Sequence, residues 1–196
     1  MCIRDRFNQA HAMPKSVYTS QEFLDLEIKH IFKKDWFCAG RAETLKNKGD
    51  YLTLELAGQP IMVLRDGAGQ IHAQSNVCLH RMSTLLQGSG NTKTIVCPYH
   101  AWTYNLDGSM RGAPGMGKNE AFCKDQLKLP QVRCEIWLGW IMVSLNPEAK
   151  PVASELSEAE AMIEDFDMAS YQQTFSETHL WDTNWKVLAE NFMAVS

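Results

Sequence analysis

Two short cysteine–histidine couples limit this chain more than anything else in it. One reads Cys78-Leu79-His80-Arg81. Fifteen residues later the other reads Cys97-Pro98-Tyr99-His100-Ala101-Trp102-Thr103-Tyr104. Each couple is short enough for one turn to aim both side chains at a common point. Thiolates and imidazoles are ligands for zinc or for iron–sulfur centres. Two thiolates can hold one iron of a [2Fe–2S] cluster while two imidazoles hold the other. The alternative is a single zinc ion held by all four. Zinc sites more often use Cys-x-x-Cys spacing, and Cys-x-His is unusual among them.

The motif CLHR followed by CPYHAWTYNLDG resembles the Rieske domain of non-haem iron ring-hydroxylating oxygenases, in their large (alpha) subunit. The likeness runs from about Tyr18 to Met193. It implies a [2Fe–2S] cluster with Cys78 and Cys97 on one iron and His80 and His100 on the other. Two neutral imidazoles in place of two thiolates leave such a cluster more positive, so it accepts an electron more readily. Rieske proteins of cytochrome complexes brace their loops with an extra disulfide; the corresponding positions here are Ser83 and Tyr99, so that brace is missing. Position alone marks Arg81, Tyr99 and Trp102 as neighbours of the ligands. Trp102 is placed to exclude water or simply to fill core, and Arg81 to meet a carboxylate or solvent. Pro98 fixes its own φ and stiffens the second loop.

Further on, Asn184-Trp185-Lys186 and Glu190-Asn191-Phe192 resemble the entry of these oxygenases into their catalytic domain. The resemblance therefore implies an oxidoreductase, mono- or dioxygenating, fed by NAD(P)H through a reductase or ferredoxin and assembled as a homotrimer or hetero-oligomer. A stand-alone Rieske electron carrier is the competing reading, but a carrier needs nothing after the sheet closes near Leu145. In the family an acidic residue and a histidine that bind mononuclear Fe(II) follow the ENF motif. Here Met193-Ala194-Val195-Ser196 follow it, and His179 precedes it. The catalytic iron is therefore expected in a downstream domain, with this chain an N-terminal piece that carries the electron-transfer centre.

Composition sorts the remaining classes. A net charge of −4 with no basic run gives no reason to expect nucleic-acid binding. The longest apolar run, Trp137 to Leu145, is too short to cross a bilayer, and no apolar signal segment opens the sequence. A cytoplasmic protein is expected. The remaining cysteines, Cys2, Cys38, Cys123 and Cys134, show no metal spacing and are read as reduced thiols.

The predicted fold is mainly β: an antiparallel iron–sulfur sandwich with an N-terminal helix and the start of an α+β catalytic domain. Residues 1–12 read as a non-native or disordered leader, 13–40 as an N-terminal helical segment, 41–147 as the cluster domain, and 148–196 as linker plus catalytic-domain start. Thr19-Ser20-Gln21-Glu22 reads as a capping box, stapled by Tyr18 and Phe23, that opens a helix from Ser20 to about Lys34. Period-two patterning predicts strands over 50–56, 60–65, 70–77, 94–96, 102–105, 132–137 and 140–145. Both ligand couples then fall on hairpin tips. Glu155 to Asp167 reads as one acidic helix, Tyr171 to Asp182 as strand-like, and Asn184 to Met193 as a helix start. His11, His30 and His72 read as bystanders.

Overall fold

The structure is a computed structural model that describes residues 13–193. The leader and residues 194–196 lie outside the described residues. The chain divides into two compact units: Phe32–Thr174, and the segments up to Ile31 and from Phe175 onward.

The first unit is built on a seven-stranded antiparallel sheet in the order β1-β10-β9-β4-β3-β2-β5 and a three-stranded sheet β6-β7-β8. The strands are β1 (Phe37–Arg41), β2 (Asp50–Leu56), β3 (Gln59–Arg65), β4 (Ile71–Ser75), β5 (Ser89–Asn91), β6 (Ile95–Val96), β7 (Thr103–Tyr104), β8 (Met110–Gly112), β9 (Gln131–Trp137) and β10 (Trp140–Ser144). All seven predicted strands are present, and the fold is mainly antiparallel β as expected. Strands β1, β5 and β8 escape the sequence pattern because they are short or contain glycine and charge.

Strand β3 organises both cores. Its centre, Ile61-Met62-Val63-Leu64, is wholly buried. Successive side chains of a strand point to opposite faces. Met62 and Leu64 therefore join Cys78, Leu85, Ile95, Cys97, Trp102, Tyr104, Leu106, Met110 and Leu129. Ile61 and Val63 join Leu45, Leu56, Ala73, Ile141 and Val143 on the other side. An unbroken apolar run marks a strand covered on both faces.

Between the two sheets, buried Gln74 on β4 donates to the Leu106 carbonyl at 3.3 Å, and Gln131 donates to the Gln74 amide oxygen at 3.2 Å. Gly108, at φ +86°, lies under this pair; a β-carbon there would stand 2.3 Å from the Gln74 oxygen. The β7–β8 turn thus needs glycine for conformation and for space.

Arg41, at the end of β1, is buried. Its guanidinium donates to the carbonyls of Leu138 (2.9 Å), Met168 (3.2 Å), Ala169 and Tyr171. It also pairs with Glu43 at 3.0 Å and lies over the Trp140 ring. Glu43 accepts the Gln173 N–H at 2.8 Å. These bonds fasten 168–173, a 3-10 turn at Met168–Ser170 and the residues that follow it, to the β1 side of the sandwich.

Three expectations need correction. Residues 171–182 alternate in character but form no strand. The acidic helix is two short ones, α3 (Val152–Glu155) and α4 (Ser157–Met162), broken at Leu156. The predicted capping box also shifts: the cap of the N-terminal helix is Ser20, whose hydroxyl accepts the Phe23 N–H at 3.3 Å, while Thr19 bonds back to the Lys15 carbonyl.

In the second unit a short α1 (Ser16–Thr19) precedes α2 (Gln21–Glu27), which runs into a π-helical turn at Ile28–Phe32. Helix α5 (Trp185–Met193) confirms the helix start read from the NWK motif. The residue that α2 buries is Glu27, at 6% exposure, not the apolar stripe. Lys186 of α5 pairs with both its carboxylate oxygens, at 2.7 and 2.8 Å, and the Trp185 indole N–H donates to it at 3.1 Å. The Lys186 ammonium also lies 5.3–5.8 Å from the rings of Tyr18, Phe23 and Trp185. Asn184 donates to the Tyr18 carbonyl and Tyr18 donates to Glu190, so the two chain segments are stitched by polar groups.

A buried ion pair is costly to break singly, because the survivor is left charged and dry. Lys186→Met is expected to destabilise this unit by about 3 kcal/mol, with the added change Glu27→Gln recovering most of the loss. Hydrogen exchange of the α5 amides measures both.

Candidate iron–sulfur site

The two cysteine–histidine loops have one backbone frame. In the first, the Cys78 N–H donates to the Ser83 carbonyl at 2.9 Å and the Met82 N–H donates to the Cys78 carbonyl at 3.0 Å. In the second, the Cys97 N–H donates to the Trp102 carbonyl at 2.8 Å and the Ala101 N–H to the Cys97 carbonyl at 3.0 Å. The residue four past each cysteine is left-handed, with φ +56° at both Met82 and Ala101. The frames match, yet histidine is the second residue after Cys78 and the third after Cys97. The second loop joins β6 to β7; the first follows β4. Both therefore hang from paired strands.

The loops bury their cysteines and leave their tips in contact with solvent. Cys78 is 1% exposed and Cys97 3%. His80 is exposed and His100 half-buried, with ring centroids 4.8 Å apart in an edge-on arrangement. The structure thus brings all four residues to one end of the unit. Burial pushes the Cys97 thiol up, but the backbone N–H groups of Tyr99 and His100, with the Cys78 and Ser83 side chains, bring it below its ordinary value. A lowered value favours the thiolate, the ligand form. Burial lowers the pKa of His100, and the neighbouring charges of His80 and Arg81 lower it further. A neutral imidazole is likewise the ligand form.

One atom tests the fit of a metal directly. His100 Nδ1 is buried and has no hydrogen-bond partner. A ring nitrogen withdrawn from water without replacement is costly. A bond to iron would satisfy it. Among the described residues no group of three or more His, Cys, Asp or Glu side chains is arranged around one ion. A bridged two-iron centre asks only two protein ligands of each iron.

The flanking residues divide. The Trp102 ring, 6% exposed, stacks on His80 at 4.7 Å and 8°, and meets Phe122 edge-on at 5.7 Å. Tyr99 is exposed and lies 3.7 Å from the His100 ring, centroid to centroid. Arg81 is exposed and forms no ion pair among the described residues, so it acts here through charge alone. Ser83 bonds the neighbouring Thr84 carbonyl at 3.4 Å.

The residue that sequence reasoning missed is Tyr104. Its side chain is fully buried; the hydroxyl lies 3.2 Å from the Cys78 sulfur and accepts the Leu79 N–H at 3.0 Å. Burial, and then the Cys78 contact, drive its pKa well up, so it stays a phenol. The signal lay in the motif, seven residues past Cys97, but its partner is in the other loop. His72 pairs with Asp66 at 2.7 Å and His179 with Glu177 at 3.1 Å, both away from this site. His30 is exposed.

Left-handed backbone costs a non-glycine residue about 1–2 kcal/mol. Ala101→Gly is therefore expected to stabilise the unit by roughly 0.5–1 kcal/mol, and Ala101→Val to destabilise it by more than that. Denaturant midpoints of the two variants check the sign.

Comparison with known proteins agrees with this geometry. Residues 35–133 match the family model of the Rieske [2Fe-2S] domain. The carnitine monooxygenase oxygenase subunit of Acinetobacter baumannii is 33% identical over 192 residues, 94% of this chain and 50% of that protein. The crystal structure of the apo quaternary ammonium Rieske monooxygenase CntA superposes with a TM-score of 0.85 at 32% identity, covering 94% of this chain and 55% of the other. Naphthalene 1,2-dioxygenase from a Rhodococcus species, bound to indole, gives 0.84 at 27% identity, covering 96% and 44%. The chain spans about half the length of the curated relatives it matches. A cysteine–histidine frame of this kind, a family model covering half the sequence and this set of homologues together place the chain in the Rieske [2Fe-2S] domain family, among relatives of the oxygenase alpha subunits.

Proposed function

We propose that Cys78, His80, Cys97 and His100 hold a [2Fe–2S] cluster, and that the chain is the electron-transfer portion of a Rieske monooxygenase acting on a quaternary ammonium compound. The observation that carries the cluster reading is the pair of matched loop frames, with two cysteines buried beneath two adjacent imidazoles. Support for the substrate class comes from relatives whose names specify carnitine, glycine betaine and choline. The region 41–147 is assigned to the cluster domain and 148–193 to the linker and the entry of the catalytic domain. Mononuclear iron is assigned to ligands outside the described residues. A reductase or ferredoxin supplies electrons, and the oxygenase assembles as a homotrimer or hetero-oligomer. No helix among the described residues is long and apolar enough to cross a membrane.

When bound, the cluster supplies a one-electron centre. The chain's own residues determine how that centre is seated. Cys78 and Cys97 would hold it from the buried side, and His80 and His100 from the solvent side. Trp102 stacks along His80, restricting its rotation and shielding that side from water. Tyr104 places a hydroxyl against the Cys78 sulfur, where hydrogen bonding favours the more negative, reduced state. The exposed Tyr99 ring covers His100. Arg81 adds positive charge beside both rings.

Iron reconstitution tests this reading. The chain is expected to bind two irons, with Rieske-type absorption and EPR; a colourless protein with one zinc ion would overturn it. His80→Cys should retain a cluster of more negative potential, because a thiolate adds charge. Removing the sulfur contact by Tyr104→Phe should lower the potential by roughly 40 mV, the one-electron equivalent of about 1 kcal/mol. Protein-film voltammetry reads both shifts.

A further inference from the structure

A concavity of about 370 Å3 opens on the first unit among the turn before β2, the β3–β4 turn, the approach to β6 and the β7–β8 turn. Lys48, Lys93 and Arg111 line it with Asp66 and Asp107. Both carboxylates are already engaged. Asp66 accepts the Ala68 and Gln70 N–H groups at 2.8 Å each and pairs with His72 at 2.7 Å. Asp107 accepts the Ser109 N–H at 3.0 Å and its hydroxyl at 2.6 Å. Among the described residues, none of the three cations forms an ion pair. Lys128 and His72 bring further positive charge to Asp107. A chain of net charge −4 thus carries a hollow in which three cations outnumber two carboxylates and none of the three is tied into an ion pair.

Its place in the fold links it to the cluster loops. Lys93 lies just before β6, which runs into Cys97; Arg111 lies on β8, paired with β7, which starts just past the other end of that loop. The hollow therefore sits at the turn end of the three-stranded sheet, and the Cys97–Trp102 loop at the opposite end. Cys97 is four positions past Lys93, at most roughly 13 Å of extended chain. The buried phenol of Tyr104 lies between the two ends.

We propose that this hollow docks an acidic electron-donating protein, which approaches from the turn end and leaves the His80 and His100 tips free for the acceptor. The proposal rests on the electron-transfer reading above. The three cations are all exposed. Exposed charges act over about a Debye length, ~10 Å at 0.1 M salt, which suits the spread carboxylates of a protein surface. A small anion would be better held by donors withdrawn from water. The exchange is one electron out of the donor and one into the centre seated by the four ligands, with no bond made or broken.

The test compares the reconstituted wild-type chain with the triple variant Lys48→Ala/Lys93→Ala/Arg111→Ala. The probe is an acidic plant-type [2Fe–2S] ferredoxin. Calorimetric titration of the oxidised proteins at low ionic strength should show binding weakened tenfold or more in the variant, with its dependence on NaCl flattened. Stopped-flow reduction by the reduced ferredoxin should slow to match, while reduction by methyl viologen, a cationic donor, should not slow. Equal ferredoxin affinity in the two proteins, or none in either, overturns the docking site. Displacement of the probe by millimolar inorganic phosphate at constant ionic strength overturns it in favour of a small-anion pocket. Charge-dependent binding by a chain that takes up no iron overturns the electron-donor role, and its absorption spectrum shows that failure separately.

Discussion

The contact on which the site most depends is made by one buried hydroxyl. Tyr104 belongs to the strand leaving the second cysteine–histidine loop, and it accepts the Leu79 N–H and touches the Cys78 sulfur in the first. It ties one loop to the other at their buried base, as the Trp102 ring on His80 does at their tips. Burial supplies the force behind the contact: Tyr104 sits among Met62, Leu64, Ile95, Leu106 and Met110, so the ring is held in place before its oxygen is used. An oxygen desolvated in this way is expensive unless paired, and both of its partners lie in the loop it has to locate.

The two frames do the rest. An identical pattern of backbone hydrogen bonds in each loop turns the chain back on itself within six residues. The histidine occupies a different position within each frame. The loops are therefore not copies in side-chain terms, although they are in backbone terms. Strained left-handed residues at Met82 and Ala101 show that the turns are held closed by their surroundings.

Much of this was legible in the sequence because ligand spacing is local. Cys-x-His and Cys-x-x-His can be read without knowing the fold, and so can the apolar run of β3 and the Asp66-Gly67-Ala68-Gly69 turn. What escaped was set by contacts distant along the chain. Tyr104 looks like an ordinary core aromatic until its partner loop is in place. Glu27 on α2 looks like a solvated acid, and only Lys186, far along the chain, explains its burial. Nothing local in the sequence marks Arg41, yet carbonyls of Leu138, Met168 and Tyr171 converge on it. The stretch 171–182 failed in the opposite way: its pattern promises a strand, but alternation stabilises nothing without a neighbouring edge to pair with.

The two-faced burial of β3 carries a mechanical consequence. Shifting a strand by one residue swaps every side chain to the other face. In β3 such a slip would trade Met62 and Leu64 for Ile61 and Val63 and disrupt both cores at once. The strand consequently behaves as a keyed shaft, able to sit in one register only. The wall beneath the cysteines inherits that stiffness, so the loops move on a base that cannot slide.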